Sequence, residues 1–335
     1  QELRVKLGPV RCAELGEETR VMEPGSKLSA IAEADQAPVQ SGGPSKANDN
    51  LKQFASIEIL PTQVIQAPPL SELFAEGTEI YLPLLHGDDL HLSVTAAKKI
   101  QDEGMVATPH LAARSVRSAG QLDEWLHELS ETGCHRLMLI AGDPLAHRGP
   151  YRDTLDVLSS GLLEKHGFTH LGVAAHPDGH LHASESDVRS ALEIKKAYAR
   201  DKGVHMWLVT QFVFDMTNFA NWLDDWEEAF DFLPIHVGLA GPSSVASLMR
   251  YAARCGVATS VKMMLTNRNS RRLMGSWNPD DQLKALYELC GDRVSRRLKG
   301  LHLFPFGGLE RAARWLNAGE DKPKLPIFGN IPSDE

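Results

Sequence analysis

Glu58 is the residue whose surroundings point most directly to chemistry. It interrupts an apolar run, residues 57–60, that otherwise has the composition of a buried strand. A carboxylate among aliphatic side chains loses hydration, so we expect its pKa to lie above the usual value for glutamate. A glutamic acid with a raised pKa can act as a general acid near neutral pH. The alternative is a structural carboxylate that forms a salt bridge inside the fold.

Three more polar residues stand at or near the ends of hydrophobic segments. His110 ends one such segment, and Asp143 follows Gly142, which would let a ligand approach the backbone. Gln211 is a large amide within the otherwise apolar run 206–213, so it needs a hydrogen-bond partner or a ligand. The alternatives are a turn-forming aspartate before a proline and a core glutamine bonded to a neighbouring strand.

A group of histidines offers a second kind of chemistry. His176, His180 and His182 are close enough in sequence to suggest metal ligands on a loop. However, the intervening turn, residues 177–179, separates them, and no metal-binding histidine pattern lies on a predicted strand. We therefore predict no bound metal. A metal-dependent hydrolase or lyase that uses these histidines and Asp143 is kept as an alternative.

The elements that would position these residues begin after Phe54. Short β-branched or aliphatic runs alternate there with segments of helical period. The strand candidates are residues 56–60, 79–83, 105–110, 136–141, 170–176, 206–213, 235–240 and 301–305. The helix candidates are residues 91–103, 117–131, 152–163, 185–201, 216–229, 242–255, 281–298 and 309–317. The pattern predicts strands and helices in alternation.

This alternation predicts an α/β fold, a (β/α)8 barrel of the TIM type with an N-terminal extension. Alternating strands and helices require a parallel sheet with right-handed crossovers, and eight repeats close that sheet. A doubly wound open sheet would carry a G-x-G-x-x-G turn after its first strand, and none follows Glu58. In a barrel the active site lies at the carboxyl ends of the strands, where the polar candidates fall.

The chain divides into three predicted parts. Residues 1–53 contain no Phe, Trp or Tyr and bury too little apolar area to offset the entropy of ordering. We interpret them as an N-terminal arm that is partly disordered or docked. Residues 54–320 form the catalytic barrel, and residues 321–335 form a C-terminal tail.

Composition excludes several classes of partner. The net charge of −9 argues against nucleic-acid binding and against docking on an anionic membrane. The sequence shows neither an apolar stretch long enough to span a bilayer nor a signal peptide. Four scattered cysteines lack the spacing of a zinc or redox motif and indicate a reduced, cytoplasmic setting; they are Cys12, Cys134, Cys255 and Cys290.

Five segments carry a family resemblance. Residues 56–61 are similar to an S-x-E-h-x-P strand, and residues 141–143 fall where an R-G-D strand end is expected. Residues 172–177 resemble G-V-A-x-Y-P, and residues 210–215 are similar to T-Q-x-x-F-D. Residues 300–311 resemble a last strand with its following helix. In this order, the segments resemble the methylenetetrahydrofolate reductase family, flavoprotein barrels of one-carbon metabolism.

The resemblance, which covers roughly residues 56–316, implies a role for each matched position. Glu58 would be the general acid that protonates the bridging amine of the folate. Asp143 would lie close to both the flavin and the pterin and take part in catalysis. Gln211 would orient the pterin and then the nicotinamide of NAD(P)H. The remaining implied contacts are Phe212 with the folate, and Gly142, His110, His176 and Lys195 with FAD.

Three positions depart from the family pattern on the wall that would contact the flavin. Pro83 stands where the family often has threonine, Ala141 replaces an arginine, and His176 replaces a tyrosine. Loss of an arginine that contacts an anionic cofactor removes about 1.5–3 kcal/mol. The resulting hypothesis is that FAD binds weakly or not at all, so that NAD(P)H and folate meet directly.

The sequence therefore predicts an oxidoreductase of one-carbon metabolism. It would interconvert 5,10-methylenetetrahydrofolate and 5-methyltetrahydrofolate by hydride transfer with NAD(P)H, with or without FAD. The resemblance also implies a homo-oligomer. A non-catalytic folate-binding partner subunit stands as an alternative beside the metal-dependent barrel.

Overall fold

The computed structural model describes most of the chain after its first fifty residues. The described residues are 51–52, 54–84, 90–143, 149–254, 276–291 and 293–318. The predicted arm therefore lies outside them except for Leu51 and Lys52, and the predicted tail lies outside them completely. Leu51 is buried, and its amide donates a hydrogen bond to the Tyr287 hydroxyl at 3.2 Å.

Eight parallel strands form a closed barrel, which confirms the predicted fold. The strands are β1 (Ser56–Glu58), β2 (Glu79–Leu82), β3 (Val106–Ala112), β4 (Arg136–Ile140), β5 (His170–Ala175), β6 (His205–Phe212), β7 (Ile235–Ala240) and β8 (Leu298–Phe304). Their order around the barrel is β1-β8-β7-β6-β5-β4-β3-β2. Each barrel strand overlaps a predicted one, whereas a short antiparallel pair, Ser243–Ser244 with Ser276–Trp277, was not predicted. Because β1 pairs with β8, the two ends of the barrel sequence are neighbours in space.

The helices surround the barrel. They are α1 (Pro61–Gln66), α2 (Leu90–Asp102), α3 (Ala119–Glu131), α4 (Thr154–Leu158), α5 (Leu162–Lys165), α6 (Glu185–Lys202), α7 (Met216–Asp225), α8 (Glu227–Phe230), α9 (Val245–Arg254), α10 (Asp280–Cys290), α11 (Arg293–Arg296) and α12 (Leu309–Leu316).

The alternation of elements differs from the prediction in several places, among them the predicted helix over 216–229, which is divided at Trp226. Helix α1 between β1 and β2 was not predicted. The predicted helix over 152–163 is divided at Gly161, whose φ of 70° is left-handed and interrupts a right-handed helix. The predicted helix over 281–298 is interrupted at Gly291, with φ 49°, and its last predicted residue, Leu298, belongs to β8.

The loops after β5 and β6 are held by helix caps. Helix α6 begins with a capping box in which the Ser184 hydroxyl accepts from the Asp187 amide and the Asp187 carboxylate accepts from the Ser184 amide. At the start of α7, the Asp215 carboxylate accepts from the amides of Thr217 and Asn218, both at 3.0 Å. The last residue of the 210–215 motif therefore begins a helix.

An apolar shell between strands and helices supplies the main hydrophobic core. Each fully buried aliphatic side chain in it contributes roughly 1.5–3 kcal/mol. Its strand members alternate with residues that face the barrel axis, as the two-residue period of a strand requires. Examples of fully buried members are Ile57, Ile80, Leu137, Val173 and Leu301.

The floor of the barrel is polar. The Glu79 side chain is 1% exposed, and its Oε1 accepts from the Arg136 guanidinium at 2.8 Å and from the Thr108 hydroxyl at 2.7 Å. The guanidinium carbon lies 4.8 Å from the centroid of the Trp207 ring. The Trp207 indole N–H donates to the Tyr81 hydroxyl at 2.9 Å. This hydrogen-bonded layer closes the barrel below the strand ends.

Two further sequence predictions concern membrane-spanning segments and the cysteine thiols. None of the helices in the described ranges is both long and apolar enough to cross a bilayer. Cys134 is buried, and burial raises the pKa of its thiol to about 11, so it is protonated and unreactive at neutral pH. Cys12 and Cys255 lie outside the described residues.

Candidate active site

A cavity of about 310 Å³ opens at the carboxyl ends of the barrel strands. This volume is within the range of small-molecule sites, and the position is the one at which barrel enzymes place their chemistry. The polar and aromatic residues that line it are Glu58, Tyr81, His110, Arg114, His176, His180, His182, Thr210, Gln211, His302 and Phe304.

Glu58 lies at the end of β1 between two histidines. Its Oε1 is 3.4 Å from His302 Nε2 and 3.6 Å from His110 Nε2, and its side chain is 20% exposed. The other nitrogen of His302, Nδ1, is 2.9 Å from the Ser56 hydroxyl. Ser56, His302 and Glu58 therefore form a connected series in which a proton can be held or moved.

The pKa of Glu58 does not follow the sequence expectation. Burial raises it, but the hydrogen bond with His302 and the positive charge that His110 and His302 can carry bring it below the usual value for glutamate. The predicted rise is therefore wrong, because it counted the aliphatic neighbours on β1 and not the histidines of β3 and β8. In the free protein Glu58 is an ionised carboxylate at neutral pH.

His110 is uncharged at neutral pH. Burial lowers the pKa of His110 to about 4. The nearby His302 lowers it further, whereas the negative charge of Glu58 raises it. The lowered pKa of Glu58 consequently depends chiefly on the hydrogen bond with His302. His110 contributes a neutral imidazole to the cavity wall, two residues before the end of β3, and its contact with FAD stays a prediction.

Tyr81 forms the base of the cavity beneath both histidines. Its ring centroid is 4.4 Å from that of His302 and 6.0 Å from that of His110, with edge-on geometry in both pairs. Because Trp207 holds the Tyr81 hydroxyl, the ring cannot swing away from the histidines. The polar floor therefore fixes the residues that flank Glu58.

A bulge in β6 turns Gln211 into the cavity. Val209 pairs with His236 and Phe212 with Gly238, so β6 has one residue more than β7 over this stretch. The Gln211 Oε1 accepts from the Phe212 amide at 3.1 Å, which leaves the amide nitrogen of the side chain for a ligand. Gly238 is required here, because a Cβ would lie 2.4 Å from the Thr210 carbonyl oxygen.

The end of β4 presents backbone to the cavity. Gly142 has a φ of 80°, and a Cβ there would lie 3.2 Å from the Ala112 Cβ. Ala141 lines the cavity, and its methyl side chain carries no charge. The Arg114 guanidinium, however, donates to the Gly142 carbonyl at 2.7 Å. Asp143 is exposed, and residues 144–148 after it lie outside the described residues, so its role stays a prediction.

The histidines after β5 form the opposite wall from Glu58. The ring centroids of His176 and His180 are 4.7 Å apart, and those of His180 and His182 are 6.3 Å apart. Burial, together with the charges of His180 and Lys195, lowers the pKa of His176 to about 4. Across the described ranges, no three His, Cys, Asp or Glu side chains come together in a way that could hold a metal ion.

Comparison with known proteins identifies the family. The profile described as methylenetetrahydrofolate reductase matches residues 85–304. This chain belongs to the methylenetetrahydrofolate reductase family. The matched segment begins after β1 and β2, so Glu58 and Pro83 precede it, and the interpretation of Glu58 rests on the β1 motif and the geometry described above.

Two curated reductases are similar to this chain over part of its length. Methylenetetrahydrofolate reductase 1 of Schizosaccharomyces pombe is 24% identical over 219 residues, which cover 62% of this chain and 34% of the relative. Methylenetetrahydrofolate reductase 2 of Saccharomyces cerevisiae is 25% identical over 171 residues, or 48% of this chain and 28% of the relative. The chain therefore spans about a third of the length of these relatives.

A solved structure shares the fold. It is an uncharacterized protein from Clostridium thermocellum, described as binding two copies of 5-methyl-5,6,7,8-tetrahydrofolic acid. The TM-score is 0.53 at 10% sequence identity, and the match covers 81% of this chain and 97% of that one.

Two residues that the reductase resemblance assigned to ligands lie away from the open cavity. Phe212 does not line this cavity: it is buried, with its ring 5.2 Å from Phe304 and 5.0 Å from Phe306, and it borders an adjoining pocket of about 230 Å³ together with Gln211. Lys195 lines a separate cavity of about 370 Å³ between α6 and α7 that also touches His176. Burial lowers the pKa of Lys195 to about 8.

Among the residues that line the cavity, Tyr81, Arg114 and His302 had no role in the sequence interpretation, and neither had Ser56, which contacts His302. One signal was available, because His302 interrupts an apolar strand in the same way as Glu58 does. Ser56 and Glu58 are also two residues apart and therefore point to the same side of β1. The contacts of Tyr81 and Arg114 depend on strand neighbours and have no comparable signal in the sequence.

The buried histidines predict a loss of stability in mild acid. The pKa values of His110, His170, His176 and His236 are all lowered to about 4, mainly by burial, whereas in the unfolded chain they lie near 6.5. Between these values the unfolded chain binds more protons, so the free energy of unfolding must fall as the pH falls. For each fully buried histidine the slope approaches about 1.4 kcal/mol per pH unit.

Urea unfolding at pH 7, 6 and 5 checks this expectation. The midpoint should decrease steadily, and Glu58 and Glu79, whose pKa values are lowered, should add a further loss below about pH 4.5. His91, on the protein surface, provides a control: His91→Gln should leave the slope unchanged. A midpoint that is constant from pH 7 to 5 would contradict the burial of these imidazoles as neutral groups.

Proposed function

We propose that this chain is a folate oxidoreductase that interconverts 5,10-methylenetetrahydrofolate and 5-methyltetrahydrofolate by hydride transfer with NAD(P)H. The observation that supports it most directly is the Ser56–His302–Glu58 series at the base of an open cavity. Opening the methylene bridge to an iminium requires a proton on the bridging amine, and this series places a proton carrier where a substrate can reach it.

The geometry indicates how the proton is handled. In the free protein Glu58 is ionised, so it is ready to accept a proton when methyltetrahydrofolate is oxidised. For the reductive direction Glu58 needs a proton, and His302 at 3.4 Å can deliver it. A bound substrate displaces water around the carboxylate, which favours the protonated form of Glu58. The Glu58 carboxylate and the His302 imidazole would therefore carry the proton in both directions of the reaction.

The opposite side of the cavity orients the substrate. The Gln211 side chain, held by the bulge in β6, offers its amide nitrogen to a carbonyl or ring nitrogen of the pterin. The same amide would hold the carboxamide of a nicotinamide that takes the place of the pterin. Asp143, at the end of β4, would complete the polar edge beside Gly142. Phe212 would contribute indirectly, because its ring packs against Phe304, which lines the cavity.

The cavity also fits a flat cofactor. Gly142 presents backbone without a Cβ, and His110 and His176 present imidazoles that are neutral at neutral pH. When bound, NAD(P)H, directly or through FAD, supplies the hydride. Because Pro83, Ala141 and His176 replace family residues on the flavin wall, a flavin-free reaction is part of this proposal.

Two comparisons support folate as the substrate. The chain belongs to the methylenetetrahydrofolate reductase family, and a protein with the same fold is described as binding 5-methyltetrahydrofolate. The chain spans only about a third of its curated relatives, so the activity stands as a proposal. The homo-oligomer predicted from the resemblance and the cytoplasmic setting predicted from the cysteines likewise remain predictions.

An absorbance scan from 300 to 550 nm tests the proposal. We expect the purified protein, after addition of FAD and then 5-methyltetrahydrofolate, either to show a flavin spectrum that bleaches or to bind no flavin and transfer hydride between NAD(P)H and folate. Stoichiometric flavin in the native protein would refute the flavin-free form. Folate binding with no turnover by either route would favour a non-catalytic folate-binding subunit, and no folate binding would refute the proposal.

A further inference from the structure

Arg114 extends from β3 to the end of the neighbouring strand. It lies in the short turn that directly follows β3, and its amide donates to the Ala141 carbonyl at 3.0 Å. Its guanidinium Nη1 donates to the Gly142 carbonyl at 2.7 Å. The side chain lines the same cavity as Glu58. A guanidinium from β3 therefore stands at the carboxyl end of β4, beside the uncharged Ala141.

Within the described part of the chain, most of the hydrogen-bonding capacity of this guanidinium is unused. An arginine side chain has five N–H donors, and the contact with Gly142 uses one. Among the residues that the structure describes, Arg114 takes part in no ion pair, although it is only partly exposed to solvent. A partly buried cation without a carboxylate partner, facing a cavity, favours an anionic ligand.

Other basic side chains lie on this side of the barrel: His180 and His182 line the same cavity, and Lys195 lines the adjoining one. Burial lowers the pKa of His180, and the charges of His182, Arg114 and Lys195 lower it further. These three side chains therefore lie close enough to interact electrostatically with the His180 ring. Glu58 stands on β1, whereas His180 follows β5, on the far side of the closed barrel. The cavity thus has a carboxylate on β1 and basic side chains after β3 and β5.

We propose that Arg114 binds the diphosphate of a dinucleotide cofactor and anchors it at the rim of the cavity. A guanidinium can grip two oxygens of a phosphate, and several cations together suit a group that carries more than one negative charge. The proposal deepens the proposed function and rests on it, because it concerns the cofactor that supplies the hydride. Arg114, which follows β3, would then supply the positive charge that the family's arginine would supply at the end of β4, where this chain has Ala141.

Titration with ADP, which carries the diphosphate without flavin or nicotinamide, tests the proposal. Isothermal calorimetry on the full chain should show ADP binding that Arg114→Gln weakens by about 10- to 100-fold, the range for a lost charge-assisted contact. Arg114→Lys should retain part of the affinity. Arg117→Gln, an exposed arginine three residues away, is the matched control and should bind ADP as the wild type does.

Parallel titration with 5-methyltetrahydrofolate separates the two proposals. Arg114→Gln should leave folate affinity unchanged, and a retained folate affinity also shows that the variant is folded. If Arg114→Gln weakened folate binding and not ADP binding, the anion would be the folate carboxylate, and the assignment to a diphosphate would be overturned. Equal ADP affinity in both proteins, or no ADP binding by the wild type, would overturn it as well. If the wild type bound ADP but no folate, the proposed function would be refuted, whereas the assignment of Arg114 to the diphosphate would stand.

Discussion

Glu58→Gln is expected to reduce the turnover of 5,10-methylenetetrahydrofolate by about 10²- to 10⁴-fold, the usual contribution of a general acid. Glutamine keeps the shape of the side chain and can still hydrogen-bond to His302, but it cannot carry the proton. The loss should therefore appear in kcat, while the affinity for 5-methyltetrahydrofolate changes by less than about tenfold. Steady-state kinetics in both directions, together with a folate titration, measure this.

A matched variant and a melting curve control the experiment. Glu124 is an exposed glutamate on α3, and Glu124→Gln should be indistinguishable from the wild type in turnover. Because Glu58 is at the end of a strand and partly exposed, its replacement should lower the melting temperature far less than replacement of a residue of the buried floor. If Glu58→Gln kept wild-type turnover, the Ser56–His302–Glu58 series would not be the proton carrier and the proposed mechanism would fail.

Breaking the buried ion pair in the floor should have the largest effect on stability. Arg136→Met leaves the Glu79 carboxylate, which is 1% exposed, without its guanidinium, and removal of one partner of a buried pair costs about 3–5 kcal/mol. The pKa of Glu79 reports the same dependence: burial raises it, and the charge of Arg136 brings it below the usual value. The urea midpoint at pH 7, converted with the measured slope, gives the change in free energy of unfolding.

An exposed ion pair provides the comparison for the buried one. Arg152 and Asp156 form a 3.0 Å pair in which the arginine side chain is 77% exposed, so Arg152→Met should cost less than about 1 kcal/mol. The double variant Glu79→Leu with Arg136→Met should recover much of the stability, because no uncompensated charge then remains. If Arg136→Met alone were as stable as the wild type, the charge pair would not be what secures the floor.

The floor also connects stability to the site. The Arg136 guanidinium packs on the Trp207 ring, and Trp207 holds the hydroxyl of Tyr81 beneath His302 and His110. A variant that loosens the floor should therefore lower turnover even when it remains folded. The residues that handle the proton and the residues that stabilise the barrel are parts of one packed column.

Local patterns in the sequence determined the fold. A two-residue period places alternate strand residues on opposite faces, and runs rich in aliphatic residues mark all eight strands without knowledge of any partner. The same patterns placed Glu58, His110 and Gln211 at strand ends, and all three line the cavity. Helix ends were less certain, because Gly161 and Gly291 interrupt segments whose apolar period continues across them.

Only the tertiary structure decided what surrounds those residues. His302 reaches Glu58 across 244 positions of sequence because the closing of the barrel makes β8 the neighbour of β1. That pairing reverses the direction of the Glu58 pKa shift, which local burial alone would make a rise. The contact of Arg114 with Gly142 and the bulge that turns Gln211 inward likewise depend on adjacent strands. A sequence pattern records how each strand faces the core, whereas charges and hydrogen bonds between strands depend on their order and register, which exist only in the closed barrel.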